Sequence, residues 1–252
     1  MTSGESAQHG PAARRRRELL IAGSGGFARE TAQAVAACAA AVVPGRTPRP
    51  WRLLGFLDDD PALLGSLVDE VPVLGPTREV YRWRDEHVLL CVGNPRDHVS
   101  RMRLAHRLDL PDERYATVVH PTASVSENSI IGPGSVALAH CVLTSSVWVG
   151  AHVAMMPRVV LTHDDVVEDY VTLASGVSLG GGVRVECGAY IGAGALIREG
   201  VSIGACSIVG MGSVVLGDIP PGQVWVGNPA RYLRPVDLPA ELDPILVSMG
   251  GH

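Results

Sequence analysis

A six-residue repeat runs through residues 125–220 and constrains the fold of this chain more than any other feature. Its sixteen blocks, from VSENSI to VLGDIP, each begin with Val, Ile, Leu, Met or Ala, and no residue is inserted between them. A period of six fits neither an α-helix nor the plain alternation of a strand, and it is typical of a parallel β-helix. Because three blocks make one triangular coil, the repeat predicts roughly five coils stacked about 4.8 Å apart.

The fifth position of each block is also restricted to small or slender side chains, as the interior of a narrow prism requires. Asp165 is the single charged residue at that position, and His163 precedes it by two residues in the block LTHDDV. A carboxylate at the prism wall is costly unless it is paired or hydrogen-bonded. The residues alone allow two interpretations. In the first, a solvated corner of the coil contains His163, Asp164 and Asp165. In the second, a carboxylate holds the imidazole so that it can act as a general base.

Residues 18–119 follow a different pattern, in which short apolar strands alternate with helices. Strands are expected at ELLIAG, WRLLGFL and HVLLCV, helices follow the first and the third of them, and RYATVVHP leads into the repeats. This alternation predicts a small parallel sheet with crossover connections, and thus a Rossmann-like α/β domain before the β-helix.

A glycine turn joins the first expected strand to its helix. Gly23, Gly25 and Ala28 match the pattern G-x-G-x-x-G/A, in which backbone approaches a phosphate at a helix N-terminus. A complete dinucleotide fold needs an acid about twenty residues on, whereas Asp58 follows Gly23 only after 35 residues. A mononucleotide-sized half fits better, and Gly93 should lie at the same sheet edge, where these residues could line one crevice. The alternative is that the glycines only make tight turns.

Composition argues against several classes of partner. The net charge is −5 and the only basic run is Arg14 to Arg17, so nucleic acid is not an expected partner. No stretch has the eighteen or so apolar residues of a membrane span, and Arg29 with Glu30 interrupts the one segment that resembles an export signal. Five cysteines without a C-x-x-C pair indicate reduced thiols and a cytoplasmic protein rather than disulfides or a zinc site.

The same patterns divide the chain into four parts. We expect a disordered N-terminus over 1–17, a nucleotide- or substrate-binding domain over 18–119 and the β-helix over 120–220. Residues 221–252 leave the repeat register, and we expect them to fold over the last coil or to trail from it. The proline-containing stretch AVVPGRTPRP should be an irregular loop.

The order of the motifs resembles a known family. GSGGFA, GFLDDD, CVGNPRD, HPTASVS, repeats containing THDD and a terminal PPGQVWVGNPAR occur together between residues 18 and 235. They are similar to the PglD/NeuD-like bacterial sugar O-/N-acyltransferases of the left-handed β-helix superfamily. The resemblance implies a left-handed coil, a homotrimer with active sites between neighbouring prisms, and acetyl-CoA as co-substrate without a metal. The implied reaction is N-acetylation of a nucleotide-linked amino sugar by direct attack on the thioester, without an acyl-enzyme.

The resemblance also implies roles for individual residues. His163 would take the proton from the attacking group while Asp164 increases its basicity. The nucleotide-linked acceptor would be bound by Gly25, Gly26, Phe27, Asp58, Asp59 and Gly93. The coenzyme would contact Thr172, Ala193 and Met211.

Three positions depart from the family pattern. Phe27 stands where many relatives have His, Thr172 stands where some relatives place a second His, and Asp165 replaces a common small residue or Cys. These departures leave the acceptor open between a nucleotide sugar and a non-nucleotide amine or hydroxyl compound of specialised metabolism. A larger acyl group than acetyl also stays open.

Other functions of a hexapeptide prism were weighed against this interpretation. A metal site of the γ-carbonic-anhydrase kind needs three converging histidines, but His140 and His152 fall on different faces and no two prism histidines are 18 or 36 residues apart. A noncatalytic scaffold stays possible, whereas a dinucleotide oxidoreductase would need a larger first domain.

Overall fold

The computed structural model describes residues 17–41, 51–93, 96–239 and 242. The expectations for the N-terminal tail up to residue 16, for all but the first residue of the loop AVVPGRTPRP and for residues 243–252 lie outside the described residues. Arg17, which was assigned to the tail, is the first residue of a strand. Within the described residues, no helix combines the length and the apolar character needed to cross a membrane.

The N-terminal domain is a five-stranded sheet with a helix on each side. Its elements are β1 (Arg17–Ala22), α1 (Gly26–Ala40), β2 (Trp51–Leu57), β3 (Leu67–Val68), β4 (Val71–Gly75), β5 (His87–Leu90) and α2 (Ser100–Leu108), with short 3-10 helices at Pro61–Leu63, Thr77–Arg82 and Asp112–Arg114. The strand order is β3-β4-β2-β1-β5. All neighbours are parallel except β3 and β4, which form an antiparallel hairpin at the edge. The expected parallel sheet is therefore confirmed, with a hairpin added to it.

The last four residues of β1, Leu19 to Ala22, are buried on both faces of the sheet, which explains their unbroken apolar sequence. Leu19 and Ile21 pack in the same cluster as Val35 of α1. Leu20 points to the other face of the sheet and packs with Leu104 of α2. Because successive side chains of a strand alternate, the two helices cover opposite faces of one sheet.

The repeats form the predicted left-handed β-helix. Its strands have two residues each, taken from the last residue of one block and the first of the next. They are β6 (Val118–Val119), β7 (Ser124–Val125), β8 (Ile130–Ile131), β9 (Val136–Ala137), β10 (Val142–Leu143), β11 (Trp148–Val149), β12 (Ala154–Met155), β13 (Val160–Leu161), β14 (Val166–Val167), β15 (Thr172–Leu173), β16 (Ser178–Leu179), β17 (Arg184–Val185), β18 (Tyr190–Ile191), β19 (Leu196–Ile197), β20 (Ser202–Ile203), β21 (Ile208–Val209) and β22 (Val214–Val215).

Every third strand pairs in parallel, so the strands form three faces. The first face contains β7, β10, β13, β16, β19 and β22, the second face contains β8, β11, β14, β17 and β20, and the third face contains β6, β9, β12, β15, β18 and β21. We call the turns from first to second face the first corner, those from second to third face the second corner, and those from third to first face the third corner. A corner of a triangle lies opposite the remaining face, so the first corner is opposite the third face.

The interior of the prism contains the first and fifth positions of the blocks. In one coil, Leu161, Val167 and Leu173 at the first position and Val171 and Val177 at the fifth are fully buried. From Gly134 to Gly212 the fourth residue of every block has a positive φ, whether or not it is glycine. This left-handed residue closes each corner without an extra loop, which keeps the repeat at six residues.

The C-terminal segment returns to the prism. Strand β23 (Gln223–Gly227) continues the third face beside β21, and β24 (Ala230–Pro235) pairs antiparallel with β23. The N-terminal domain covers the other part of the same face and the second corner, where Met102 of α2 packs against Cys187 and Cys206. The first corner therefore lies on the side of the prism away from the N-terminal domain.

Candidate active site

His163 and Asp164 lie at the first corner, between β13 and β14. The Nδ1 atom of His163 lies 2.9 Å from Oδ2 of Asp164, and each side chain is 68% exposed. A carboxylate only accepts hydrogen bonds, so this contact places the imidazole proton on Nδ1 and leaves a lone pair on Nε2. The outward-facing nitrogen is then able to accept a proton, as general-base catalysis requires.

The neighbouring coils hold this pair in place. The backbone N–H of Asp164 donates to the carbonyl of Ser145 at 3.0 Å, and that of Gly182 donates to the carbonyl of His163 at 2.9 Å. A Cβ atom on Gly181 would lie 2.4 Å from both Cε1 and Nε2 of His163. The imidazole thus rests on the next coil at a point where only glycine leaves room for it.

Asp165 points in the opposite direction, into the prism. Its side chain has no exposed surface, and its two oxygens accept the backbone N–H groups of Thr162 at 2.7 Å and Val183 at 2.9 Å. Burial raises the pKa of this carboxyl to about 6, although both hydrogen bonds act to lower it. Between the two candidate partners of His163, the structure therefore selects Asp164.

The expected coenzyme residues lie on the opposite side of the same prism. Thr172 points outward from the third face, beside Tyr190 of the next coil. Ala193 and Met211 lie at the third corner, and the N–H of Gly212 donates to the carbonyl of Ala193 at 2.8 Å. Met211 is 82% exposed. Ala193 and Met211 are thus stacked in one column, and Thr172 lies one coil before Ala193 and two coils before Met211.

A cavity of about 250 Å³, which we call the interdomain cleft, separates the N-terminal domain from the third face. It brings together two residues expected to bind the acceptor and two expected to bind the coenzyme. Among the residues that line it are Phe27, Gly93, Arg101, Thr172, Tyr190 and Ala193. Gly25 and Gly26 begin α1 just before Phe27, and the space where a Cβ atom would stand on either is empty.

A second cavity, of about 210 Å³, adjoins the same sheet edge; we call it the acidic cleft. Asp58 accepts a 2.5 Å hydrogen bond from the hydroxyl of Ser24. Asp59 accepts from the backbone and the hydroxyl of Thr77 and forms an ion pair with Arg107. Burial raises the pKa of Asp59, but these hydrogen bonds and the Arg107 charge outweigh it, and the pKa is lowered overall.

The residues expected to line one crevice are therefore divided between two clefts. Gly23, Asp58 and Asp59 line the acidic cleft, whereas Phe27 and Gly93 line the interdomain cleft. The boundary between the two clefts lies between Val92 and Gly93, after the end of β5, because α2 packs over this edge of the sheet.

Solved structures with this fold and this order of domains include sugar acetyltransferases. The acetyltransferase domain of PglB from Neisseria gonorrhoeae, in complex with acetyl coenzyme A, is 27% identical, and the match covers 87% of this chain and 100% of that one with a TM-score of 0.74. A variant of perosamine N-acetyltransferase from Caulobacter crescentus, in complex with CoA and GDP-perosamine, is 27% identical over 86% of this chain and 97% of that one, with a TM-score of 0.73. The chain is an acyltransferase of the left-handed β-helix superfamily.

A third solved structure is also similar to this chain. WeeI from Acinetobacter baumannii is 27% identical to the acyltransferase, covering 86% of this chain and 100% of that one with a TM-score of 0.69. No model of a protein family and no curated protein matches the sequence. The resemblance inferred from the motifs and the expected class of enzyme are both confirmed by the structures that match.

The cysteines of the acyltransferase are poor nucleophiles. All five are free thiols and four of them are buried. Burial raises the pKa of each, to about 12 for Cys91 and to about 11 for Cys141 and Cys206. A thiol rather than the reactive thiolate is therefore present at neutral pH.

The prism histidines considered for a metal site do not meet within one chain. His152 is buried and stacks on Tyr170 with 5.0 Å between ring centroids, and burial lowers its pKa to about 3. No group of three His, Cys, Asp or Glu that could hold a metal ion occurs in residues 17–41, 51–93 and 96–239.

Sequence analysis missed Arg101, which lines the interdomain cleft and is 2% exposed. The sequence nevertheless indicates that the Arg101 side chain is buried. Arg101 is four residues before Ala105 and seven before Leu108, so it lies on the apolar face of α2.

Proposed function

We propose that the acyltransferase transfers the acetyl group of acetyl-CoA to the amine of a nucleotide-linked amino sugar, with His163 as general base. The observation that carries this proposal is the hydrogen bond between His163 Nδ1 and Asp164, which leaves Nε2 free at an exposed corner. The solved structures with bound acetyl coenzyme A or with CoA and GDP-perosamine support the choice of donor and acceptor.

The proposed reaction needs one proton acceptor. The acceptor amine attacks the thioester carbonyl carbon, and Nε2 of His163 takes a proton from the attacking nitrogen. The C–S bond of the tetrahedral intermediate then breaks, and the imidazolium returns the proton to the sulfur of CoA. The Asp164 carboxylate holds the imidazole in the correct tautomer and stabilises the transient positive charge. The acetyl group passes directly from sulfur to nitrogen, without an acyl-enzyme.

The proposed active site needs two chains. His163 lies at the first corner, whereas the interdomain cleft and Ala193 lie on the far side of the same prism. A homotrimer in which the first corner of one chain faces the third corner of the next would bring them together. Ile130 and Trp148, which are 60% and 43% exposed and adjacent on the second face, offer apolar surface for such a contact.

The N-terminal domain is proposed to bind the nucleotide. Both clefts open at the carboxyl ends of β1 and β5, where open α/β sheets bind their ligands. Gly25 and Gly26 leave space at the start of α1 for a phosphate or a ribose. Since acetyl-CoA and nucleotide sugars are made in the cytoplasm, we assign the reaction to that compartment.

The test is an acetyl-transfer assay on the full chain. Acetyl-CoA is incubated with UDP-, GDP- and dTDP-linked amino sugars, and CoA release and the mass of the sugar product are measured. Sugars with a hydroxyl in place of the amine are the matched controls. We expect acetylation of an amino sugar with one of the three nucleotides. Acetylation of the hydroxyl controls alone, or of none of the compounds, would contradict the proposal.

A further inference from the structure

Arg101 is the largest fully buried side chain among the described residues. It extends from α2 to the third face, and all of its hydrogen-bond acceptors are neutral. Its donors reach the carbonyls of His152 at 2.7 Å, Tyr170 at 3.0 Å, Val171 at 3.2 Å and Val92 at 3.3 Å, and the hydroxyl of Thr172 at 2.7 Å.

This guanidinium has no carboxylate partner in the described part of the chain. Its neighbours on α2 do: Arg103 forms an ion pair with Asp97, and Arg107 forms one with Asp59. Burial lowers the pKa of Arg101 to about 10, so the side chain still carries its charge at neutral pH. A buried charge surrounded by neutral acceptors is incompletely compensated and retains affinity for an anion.

Within residues 17–41, 51–93 and 96–239, one N–H of this charged group has no acceptor, on the side of the cleft. Nη1 has two hydrogens, and its single acceptor among these residues is the carbonyl of Val92 at 3.3 Å. Gly93 is next to it, and a Cβ atom there would lie 3.5 Å from Nη1. The missing side chain at Gly93 thus leaves open space beside the guanidinium.

The start of α1 adds a second positive feature to the same cleft. The ring centroid of Phe27, in the first turn of α1, lies 5.8 Å from Cζ of Arg101. The N-cap Gly25 provides no side-chain acceptor, and the first turn contains no acidic residue. The N-terminus of this fifteen-residue helix therefore keeps its own attraction for anions.

We propose that Arg101 forms an anion subsite in the interdomain cleft and binds a phosphate of the acceptor, a nucleoside diphosphate derivative. The remaining N–H of Nη1 can donate one charge-assisted hydrogen bond to a phosphate oxygen, and the protein acceptors of the other donors already hold the guanidinium in one orientation. The identity of the ligand as a nucleotide rests on the proposed function. The phosphates of CoA are the other source of the same chemistry.

The experiment measures binding to the full chain without any acyl transfer. UDP, GDP, dTDP, the matching nucleosides and CoA are titrated by calorimetry into the wild type, Arg101→Lys and Arg101→Gln. Arg114→Gln is the matched control, because Arg114 too has neutral acceptors in the described residues, the carbonyls of Trp83, Glu86 and Val80, but lines neither cleft. We expect the diphosphate to bind about 10- to 100-fold more weakly to Arg101→Gln, as the loss of a charged hydrogen bond implies. Nucleoside binding should be unchanged.

Equal diphosphate affinity in Arg101→Gln and Arg114→Gln would overturn the proposal. A loss of CoA affinity with unchanged diphosphate affinity would overturn the assignment to the acceptor and place a CoA phosphate at Arg101. If the Arg101 variants do not fold, Ala174→Leu narrows the cleft while every bond of Arg101 is kept. Loss of diphosphate binding in this variant supports the subsite, and unchanged affinity overturns it. Tight diphosphate binding without acetylation would refute the proposed function alone.

Discussion

The Oδ1 atom of Asp165 accepts a 2.9 Å hydrogen bond from the backbone N–H of Val183, which lies one coil further along the prism. Ser135 makes the equivalent bond to Val153, also 18 residues on. The Asp165 carboxylate thus accepts a backbone hydrogen bond from the next coil, as the hydroxyl of Ser135 does elsewhere in the repeat. Its second oxygen additionally accepts from Thr162. Asp165 therefore holds the corner that carries His163, and its buried carboxylate is directed away from the outer surface of that corner.

The burial of the Asp165 carboxyl predicts a pH dependence of stability. The pKa of Asp165 is raised to about 6 from an ordinary value of 3.8, so between these values the folded protein keeps a proton that the unfolded chain has released. The free energy of unfolding should therefore fall as the pH rises through this window, by at most about 3 kcal/mol. Asp165→Ser keeps an acceptor for Val183 without a titrating group and should flatten the dependence.

Urea unfolding at fixed protein concentration, measured from pH 4 to pH 7, checks this prediction. Asp237→Ser is the control, because the side chain of Asp237 is 98% exposed. Equal pH dependence in the wild type and in Asp165→Ser would show that the buried carboxyl does not titrate in this range.

Replacement of His163 by alanine should abolish most of the activity and leave the fold intact. The side chain is 68% exposed, and within the described residues its only polar contact is with Asp164, so its loss opens no cavity. The rate of acetyl transfer should fall about 100-fold or more, as is typical when a general base is removed. His106→Ala, at an exposed position of α2, is the control. Unchanged turnover would remove His163 from the mechanism.

Asp164 should act as a positioning residue for the imidazole. Asp164 has a φ of 62°, which asparagine tolerates, so Asp164→Asn changes the charge without straining the corner. We expect kcat to fall at least about 10-fold with little change in KM for acetyl-CoA, because the tautomer of His163 is no longer fixed. A rise in KM with unchanged kcat would instead indicate that Asp164 contacts the substrate.

The glycine under the imidazole can be tested separately. In Gly181→Ala the new methyl group would overlap the ring of His163 and displace it. A displacement of about 1 Å can reduce a rate about 100-fold, so kcat should fall while the thermal stability changes little. Gly217→Ala is the matched control, since it lies 36 residues on at the same corner and a Cβ atom there meets nothing within 4 Å. Equal kcat in the two variants would contradict the geometry.

A mixing experiment tests whether the active site is shared between chains. His163→Ala and Ala193→Trp should each be inactive, the second because the indole blocks the third corner. If each site combines the two corners from different chains, about one quarter of the seams in a random mixture of the two variants regain both intact corners. Activity should return when the variants are co-expressed. Mixtures as inactive as the separate variants would refute a shared site.

The prism could be predicted from the sequence because its packing repeats in register. Once the first position of one block is interior, the fixed six-residue period makes Leu161, Val167 and Leu173 interior as well. The β3–β4 hairpin was not predicted, since its turn depends on Asp69 and Glu70 adopting positive φ, which few sequences signal.

The candidate site was predictable only in part. The local sequence places His163 next to Asp164, and the repeat identifies Asp165 as the inward residue. The division of Asp58 and Phe27 between two clefts depends on where α2 packs, and this is set by long-range contacts such as that of Met102 with Cys187. The spacing within α2 indicates that Arg101 is buried, but four of its five acceptors lie 51 to 71 residues away, so its contacts follow only from the fold.

An uninterrupted repeat also limits how this enzyme can change. From residue 134 to residue 212 every corner is closed by the same short turn, so this part of the prism has no loop that could reshape to admit a new substrate. Divergence toward other acceptors should therefore concentrate in the N-terminal domain, at positions such as Phe27 and in the connection after α1, while the catalytic corner stays unaltered.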